Sequence, residues 1–159
     1  MSEWDVTTEA GLLACYDATF TDVYRYAARL ARSRTAAEDL TQETLVRLVR
    51  AARSGSVTSV GTGWLITTAR RVFLDRVRSE TSERARLVLV ASPPVEPEPS
   101  GHADLLVGLS DRERAALVFR YVDDLPVGEV AALLDTTVRA TESLLQRAKR
   151  RVRASTERG

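Results

Sequence analysis

Apolar residues recur at steps of three and four through most of this chain, and where that rhythm stops the composition changes with it. Leu12, Tyr16, Phe20, Val23, Ala27 and Leu30 fall on one face of a helix. Arg32-Ser33-Arg34-Thr35 interrupts the pattern, with Thr35 placed to cap the next start. Ala37, Leu40, Leu45, Leu48 and Ala52 form the stripe of a second helix, whose first turn carries Glu38 and Asp39 at the positive end of the helix dipole. Residues 53–63, rich in Gly, Ser and Thr, predict a loop. A third helix then turns Leu65, Ala69, Val72, Phe73 and Val77 inward and leaves Arg70, Arg71, Arg76 and Arg78 for its other faces. Three helices of this length enclose one small core.

Beyond Glu80 the rhythm fails. Residues 91–101 hold four of the five prolines, a composition that stays extended and builds no core of its own. Regular patterning resumes near Asp104. Ser110 and Glu113 are spaced as a capping box, and Ala116, Leu117, Phe119 or Arg120, Tyr121 and Val122 follow on that helix. Asp123-Asp124-Leu125 turns the chain, Pro126 suits a first helical turn, and Val127, Val130, Ala131 and Leu134 make the next stripe. Asp135 tolerates the left-handed conformation a helix end needs, and Thr137 is the N-cap candidate for a last helix packed through Val138, Leu145, Ala148 and Val152. The expected fold is all-α: two small helical domains, residues 1–80 and 105–159, joined by a flexible Pro-rich linker at 81–104.

A short helix, a tight polar turn and a longer basic helix make a helix-turn-helix, whose second helix can enter a DNA major groove. Net charge over the 159 residues is only +1, so the molecule is no polycation. The charge is arranged, however: Arg139–Arg153 carries six basic residues against the single acid Glu142, while acids outnumber bases from Glu80 to Asp104. Local patches rather than the total govern nucleic-acid binding. Lys149 is the only lysine; that bias reflects base composition better than a functional demand for guanidinium groups.

One cysteine, Cys15, and one histidine, His102, exclude an internal disulfide and a Cys/His metal site. Cys15 sits on an apolar stripe and reads as a small core residue. The start Met1-Ser2-Glu3-Trp4-Asp5 lacks the features of a signal peptide, and no apolar run reaches membrane-spanning length. These features predict a reduced, cytoplasmic protein that is not membrane-embedded. No nucleophile–base pair emerges, so neither catalytic residue, cofactor nor small-molecule substrate is expected. Asp39 and Glu43 stand at i, i+4 with Gln42 beside them: a solvated face, or a contact for a basic partner. The arginines after the Gly/Ser/Thr loop could hold a flipped base and its phosphates. Trp64 could stack on a base, though a Trp opening an amphipathic helix is more often core.

Taken together, three runs resemble bacterial sigma factors of the extracytoplasmic-function (ECF) group, within the sigma-70 family. Residues 37–48, AEDLTQETLVRL, look like that group's core-binding helix; residues 64–78, WLITTARRVFLDRVR, look like its promoter-melting helix; and residues 109–151 look like its C-terminal domain. The resemblance implies a subunit that binds RNA polymerase core and selects promoters. Asp39, Gln42, Glu43 and Arg47 would meet the β′ clamp helices. Ser56, Thr58, Arg70, Arg71, Asp75, Arg76 and Arg78 would serve the −10 element, and Thr137, Arg139, Ala140, Thr141, Glu142, Ser143 and Arg147 the −35 element. Further implied contacts are the polymerase β flap and an anti-sigma protein.

The chain departs from the family pattern at Glu142 and Leu144, where many members carry Lys and Arg, at Asp135 in place of the turn glycine, and at Arg71 in place of an asparagine. An acid at a base edge accepts from a cytosine amino group, so these departures bear on which promoter is read. Two other readings fit parts of the chain: a stand-alone helix-turn-helix regulator with a helical sensor domain, and a polymerase-binding adaptor with weak DNA reading. The acidic helix followed by a melting-type helix separates the sigma reading from the first, and Glu142 is the best support for the second.

Overall fold

A computed structural model of the chain describes residues 2–87 and 108–158. Its order is β1 (Glu3–Asp5), α1 (Glu9–Leu30), α2 (Arg34–Ser54), β2 (Ser59–Gly61), α3 (Thr62–Leu87), α4 (Asp111–Leu117), a π-helical turn (Val118–Val122), α5 (Val127–Leu133) and α6 (Val138–Glu157). The all-α expectation holds, with one addition that periodicity does not signal. β1 and β2 form a two-stranded antiparallel sheet with Trp4 opposite Val60, and Val6 N–H donates to the Thr58 carbonyl at 3.0 Å. Strands of three residues are too short for an alternation to be read.

Local chemistry sets the helix ends. Thr8 caps α1 by accepting from Gly11 N–H, and Ser33, not Thr35, caps α2 by accepting from Ala36 N–H at 3.1 Å. The earlier start puts Glu38 and Asp39 beyond the first turn of α2, where the dipole acts weakly on them. Gly55, at φ 75°, closes α2 in the left-handed conformation that glycine adopts without penalty. α3 runs on to Leu87, past the expected boundary at residue 80. The Pro-rich stretch 91–101 lies outside the described residues. The capping box forms as expected: Ser110 Oγ accepts from Glu113 N–H at 3.2 Å and Glu113 Oε2 accepts from Ser110 N–H at 3.0 Å.

Two apolar clusters hold the chain. One gathers Val6, Cys15, Val23, Leu45, Leu48, Val60 and Leu65 beneath the small sheet. The other is shared by both helical blocks: Tyr26, Ala27, Leu30, Val72 and Phe73 from the first pack with Ala115, Ala116, Phe119, Val130 and Leu145 from the second. The blocks are therefore in contact, chiefly α1 against α4. Periodicity misplaces a few side chains. Tyr16 and Phe20 are exposed, while Thr19 and Tyr26 are buried instead; Cys15 is buried, as its place on the stripe predicts. Tyr121 and Val122 are also exposed, because the π turn adds a residue to the α4 ladder and rotates its end away from the core.

Gly11 is the tightest point of the N-terminal corner. A Cβ there would collide with the Asp5 carbonyl oxygen, so only glycine lets β1 lie across α1. Gly11→Ala is expected to cost about 1–3 kcal/mol, read as a lower urea midpoint at unchanged slope.

Candidate nucleic-acid interface

The expected site residues occupy three surfaces. On α2, Asp39 and Gln42 are exposed and Glu43 is half-buried on the same face. Glu43 pairs with Arg47 at 3.5 Å, and Arg47 reaches across to Asp75 of α3 at 3.2 Å. These exposed pairs add little stability. Their effect is to align α2 with α3, so that an acidic face and an arginine-bearing face share an edge.

The second surface is the segment before α3 together with the outer side of that helix. Ser56 and Thr58 are exposed, and the segment between them is braced rather than loose. The Ser54 and Ser56 hydroxyls lie 2.6 Å apart, and the small sheet clamps Thr58 through Val6. Arg71, Asp75 and Arg78 are exposed along α3 and Arg76 is half-buried. Arg78 also donates to the Leu133 carbonyl at 3.2 Å, at the end of α5. Trp64 is half-buried against the cluster beneath the sheet, in keeping with its core reading.

Arg70 stands apart from its neighbours. Its guanidinium donates to Asp123 Oδ2 at 3.1 Å and to Tyr26 Oη at 3.4 Å, and it lies over the Phe119 ring at 5.5 Å from the centroid. Tyr26 O–H in turn donates to the same carboxylate oxygen at 2.7 Å. Side-chain exposure is 17% for Arg70 and 10% for Asp123, so water screens this pair little. Burial is the largest influence on the Arg70 guanidinium and opposes its charge, but Tyr26 and Asp123 together outweigh it and the net shift is upward. Burial raises the Tyr26 phenol, with Arg70 working against the rise and Asp123 for it. Nothing in the sequence flags this cluster: Tyr26 and Asp123 are 97 residues apart, and Asp123 reads as a turn residue.

The third surface is the start of α6. Asp135, at φ 52°, makes the left-handed turn, and Thr137 caps the helix by accepting from Ala140 N–H at 3.1 Å. Thr137, Arg139, Ala140, Glu142, Ser143 and Arg147 are exposed. Thr141 is not. It is fully buried, and its hydroxyl donates back to the Thr137 carbonyl at 2.9 Å. It lies one turn before Leu145 and two before Ala148 on the inward stripe, whereas Val138, expected inside, is exposed. Thr141 is therefore a packing residue and drops out of the DNA-reading set. Two of the basic side chains are engaged within the block: Arg151 with the buried Glu113 at 2.9 Å, and Lys149 over the Tyr121 ring at 4.8 Å.

Known proteins resemble this chain. Residues 15–83 match the sigma-70 region 2 family and residues 103–152 match sigma-70, region 4. The ECF RNA polymerase sigma factor SigK of Mycolicibacterium vanbaalenii is 31% identical over 149 residues, which cover 84% of this chain and 75% of that protein. The ECF sigma factor SigE of Mycolicibacterium smegmatis is 34% identical over 148 residues, 82% of this chain and 56% of the longer relative. Among solved structures, the sigma factor RpoE from Bartonella quintana, in complex with the anti-sigma factor NepR, aligns over 89% of this chain and 94% of its own, with a TM-score of 0.54 and 21% identity; that likeness is one of fold.

The Tyr26 environment makes a pH prediction. A phenol whose folded pKa exceeds its ordinary value near 10 contributes stability that is complete below that value and is lost as pH rises through the folded one. An absorbance titration of the folded chain is expected to show one phenol ionising above the ordinary range. Tyr26→Phe is expected to remove that late step.

Proposed function

Since the chain belongs to the ECF group of the sigma-70 family and has a sigma factor's function in transcription initiation, we propose how its surfaces divide that work. The exposed face of α2 bearing Asp39, Gln42 and Glu43, with Arg47 beside it, docks on the basic β′ clamp helices of the polymerase core. The braced segment with Ser56 and Thr58, and the outer face of α3 with Arg71, Asp75, Arg76 and Arg78, take the −10 element. Arg70 joins them once it is released from Asp123. There the serine and threonine hydroxyls suit an unstacked base, and the guanidiniums suit the phosphates beside it.

The start of α6 reads the −35 element in duplex form. Thr137, Ala140 and the first backbone N–H groups meet a phosphate at the positive end of the helix, while Arg139, Glu142, Ser143 and Arg147 face the major groove. Residues 1–80 and 105–159 act as the two working units. Strand opening draws on binding energy alone, so the chain acts without catalysis, cofactor or small-molecule substrate. Its place of action is the cytoplasm, where its template and polymerase are; among the described residues, no helix is long and apolar enough to cross a membrane. An anti-sigma protein is a further partner, as NepR is for the Bartonella relative.

The observation that carries this reading is the presence in one chain of an exposed acidic face on α2 and a capped, exposed, arginine-bearing start on α6. A stand-alone regulator has no use for the first. Run-off transcription from genomic fragments, with purified core enzyme and this chain, tests it directly. Specific initiation is expected, and a chain that never co-elutes with core sinks the reading. Asp39→Arg is expected to weaken core binding roughly tenfold, about 1.4 kcal/mol. Arg147→Ala is expected to weaken binding to the upstream element by about 1–3 kcal/mol.

A further inference from the structure

The segment before α3 is held in place by residues that have no part in the contacts proposed above. Its first half hangs on the end of α2: Gly55 N–H donates to the Ala52 carbonyl, and Ser56 N–H to the Ala51 carbonyl at 3.0 Å. Its second half hangs on β1, through the pairing of Ser59–Gly61 with Glu3–Asp5 and the Val6 N–H donated to the Thr58 carbonyl. The Ser59 hydroxyl also donates to Glu3 Oε2 at 3.3 Å. The match to sigma-70 region 2 begins at residue 15, so β1 stands ahead of it.

A pair of such short strands is marginal in water by itself. Here it is secured twice. On its inner face Trp4 and Val6 pack with Val57, Val60 and Trp64 over the apolar cluster of the first block. At its end the chain reverses into α1 through a turn fixed by side chains. Asp5 Oδ1 accepts from Thr7 N–H at 2.9 Å and from the Thr7 hydroxyl, and Thr8 then caps α1. Gly11 of α1 lies against the Asp5 carbonyl, closer than any side chain would allow. The position of β1 is therefore set by α1, and the position of residues 58–61 by β1.

We propose that β1 is a positioning element of the −10 reader, so that Trp4, Val6 and Gly11 set how tightly and how selectively the melted strand is held. On this account, which rests on the sigma reading above, the three residues act through the backbone of residues 58–61 and touch no DNA. Ser56 and Thr58 are exposed and add nothing to the core; what they offer a base is hydroxyls at fixed points. A hydroxyl on a loose segment follows whichever base arrives, and ordering it costs entropy each time. A hydroxyl held in advance favours the base whose edge matches it and leaves a mismatched base unpaired. Core docking is out of reach of this effect. Asp39 and Ser54, the last residue of α2, stand about 22 Å apart along the helix at 1.5 Å per residue.

Trp4→Ala in the full chain tests this role. Hydrogen exchange of the free chain is read across residues 58–61, and holoenzyme made with purified core is presented with a pool of single-stranded DNA of random sequence. The variant is expected to exchange several-fold faster at 58–61 with unchanged helical dichroism, and to bind core as the wild type does. It is expected to hold the strands that the wild type selects several-fold more weakly, with a flatter preference among bases. Unchanged exchange overturns the role, and so does faster exchange with strand binding and preference unchanged. A loss of core affinity equal to the loss of strand binding marks a general structural effect and overturns it too. A wild type that never binds core fells the sigma reading and the positioning role together, whereas a variant that binds core and selects as the wild type does strikes the positioning role alone. Should Trp4→Ala lose its helices, Gly11→Ala decides, because it displaces β1 from the side of α1 and alters neither strand. Weaker, less selective strand capture at unchanged core affinity then supports the role, and wild-type capture overturns it.

Discussion

Arg70, Tyr26 and Asp123 meet in a pocket that neither helical block possesses alone. α1 supplies the phenol, α3 the guanidinium, and the turn after the π-helical segment the carboxylate. With the Phe119 ring below and little water around, the three groups satisfy one another or are left unsatisfied together. The triangle lies at the edge of the apolar cluster that both blocks share, so pairing and packing act together there.

The surfaces on either side depend on this arrangement to different degrees. The start of α6 owes its geometry to the left-handed Asp135 and the Thr137 cap, both local. Its outward face stays free while its inward stripe, from Thr141 through Leu145 to Ala148, packs on the rest of the second block. The segment before α3 is different. It is ordered by β1, a strand more than fifty residues away in sequence, and β1 can lie where it does because Gly11 has no side chain. A stretch that reads as a plain Gly/Ser/Thr loop is thus a clamped one. A clamped loop loses less entropy on holding an unstacked base than a loose one would.

Arg70 and its neighbours on α3 show how one helix serves two roles. Arg71 faces solvent, while Arg70 turns toward the second block, one residue from Arg71 and about 100° around the helix. All of them lie within the stretch that matches sigma-70 region 2. The tertiary structure engages two of them with the second block, Arg70 through Asp123 and Arg78 through the Leu133 carbonyl.

The sequence by itself determined the helical class, the approximate extents of the long helices, the capping box at Ser110, the left-handed Asp135 and the cap at Thr137. All of these rest on interactions within about four residues, and such interactions leave their signature in adjacent letters. The three-motif order that resembles ECF sigma factors was legible in the same way, as runs of neighbouring residues. Only the tertiary structure decided that Thr141 is buried and Val138 exposed, that a strand near the N-terminus pairs with residues 59–61, and that Asp123 pairs with Arg70. In each case two or more alternatives were locally equivalent, and the choice lay with a partner far along the chain. Periodicity records which face of a helix is apolar, but not what that face will meet.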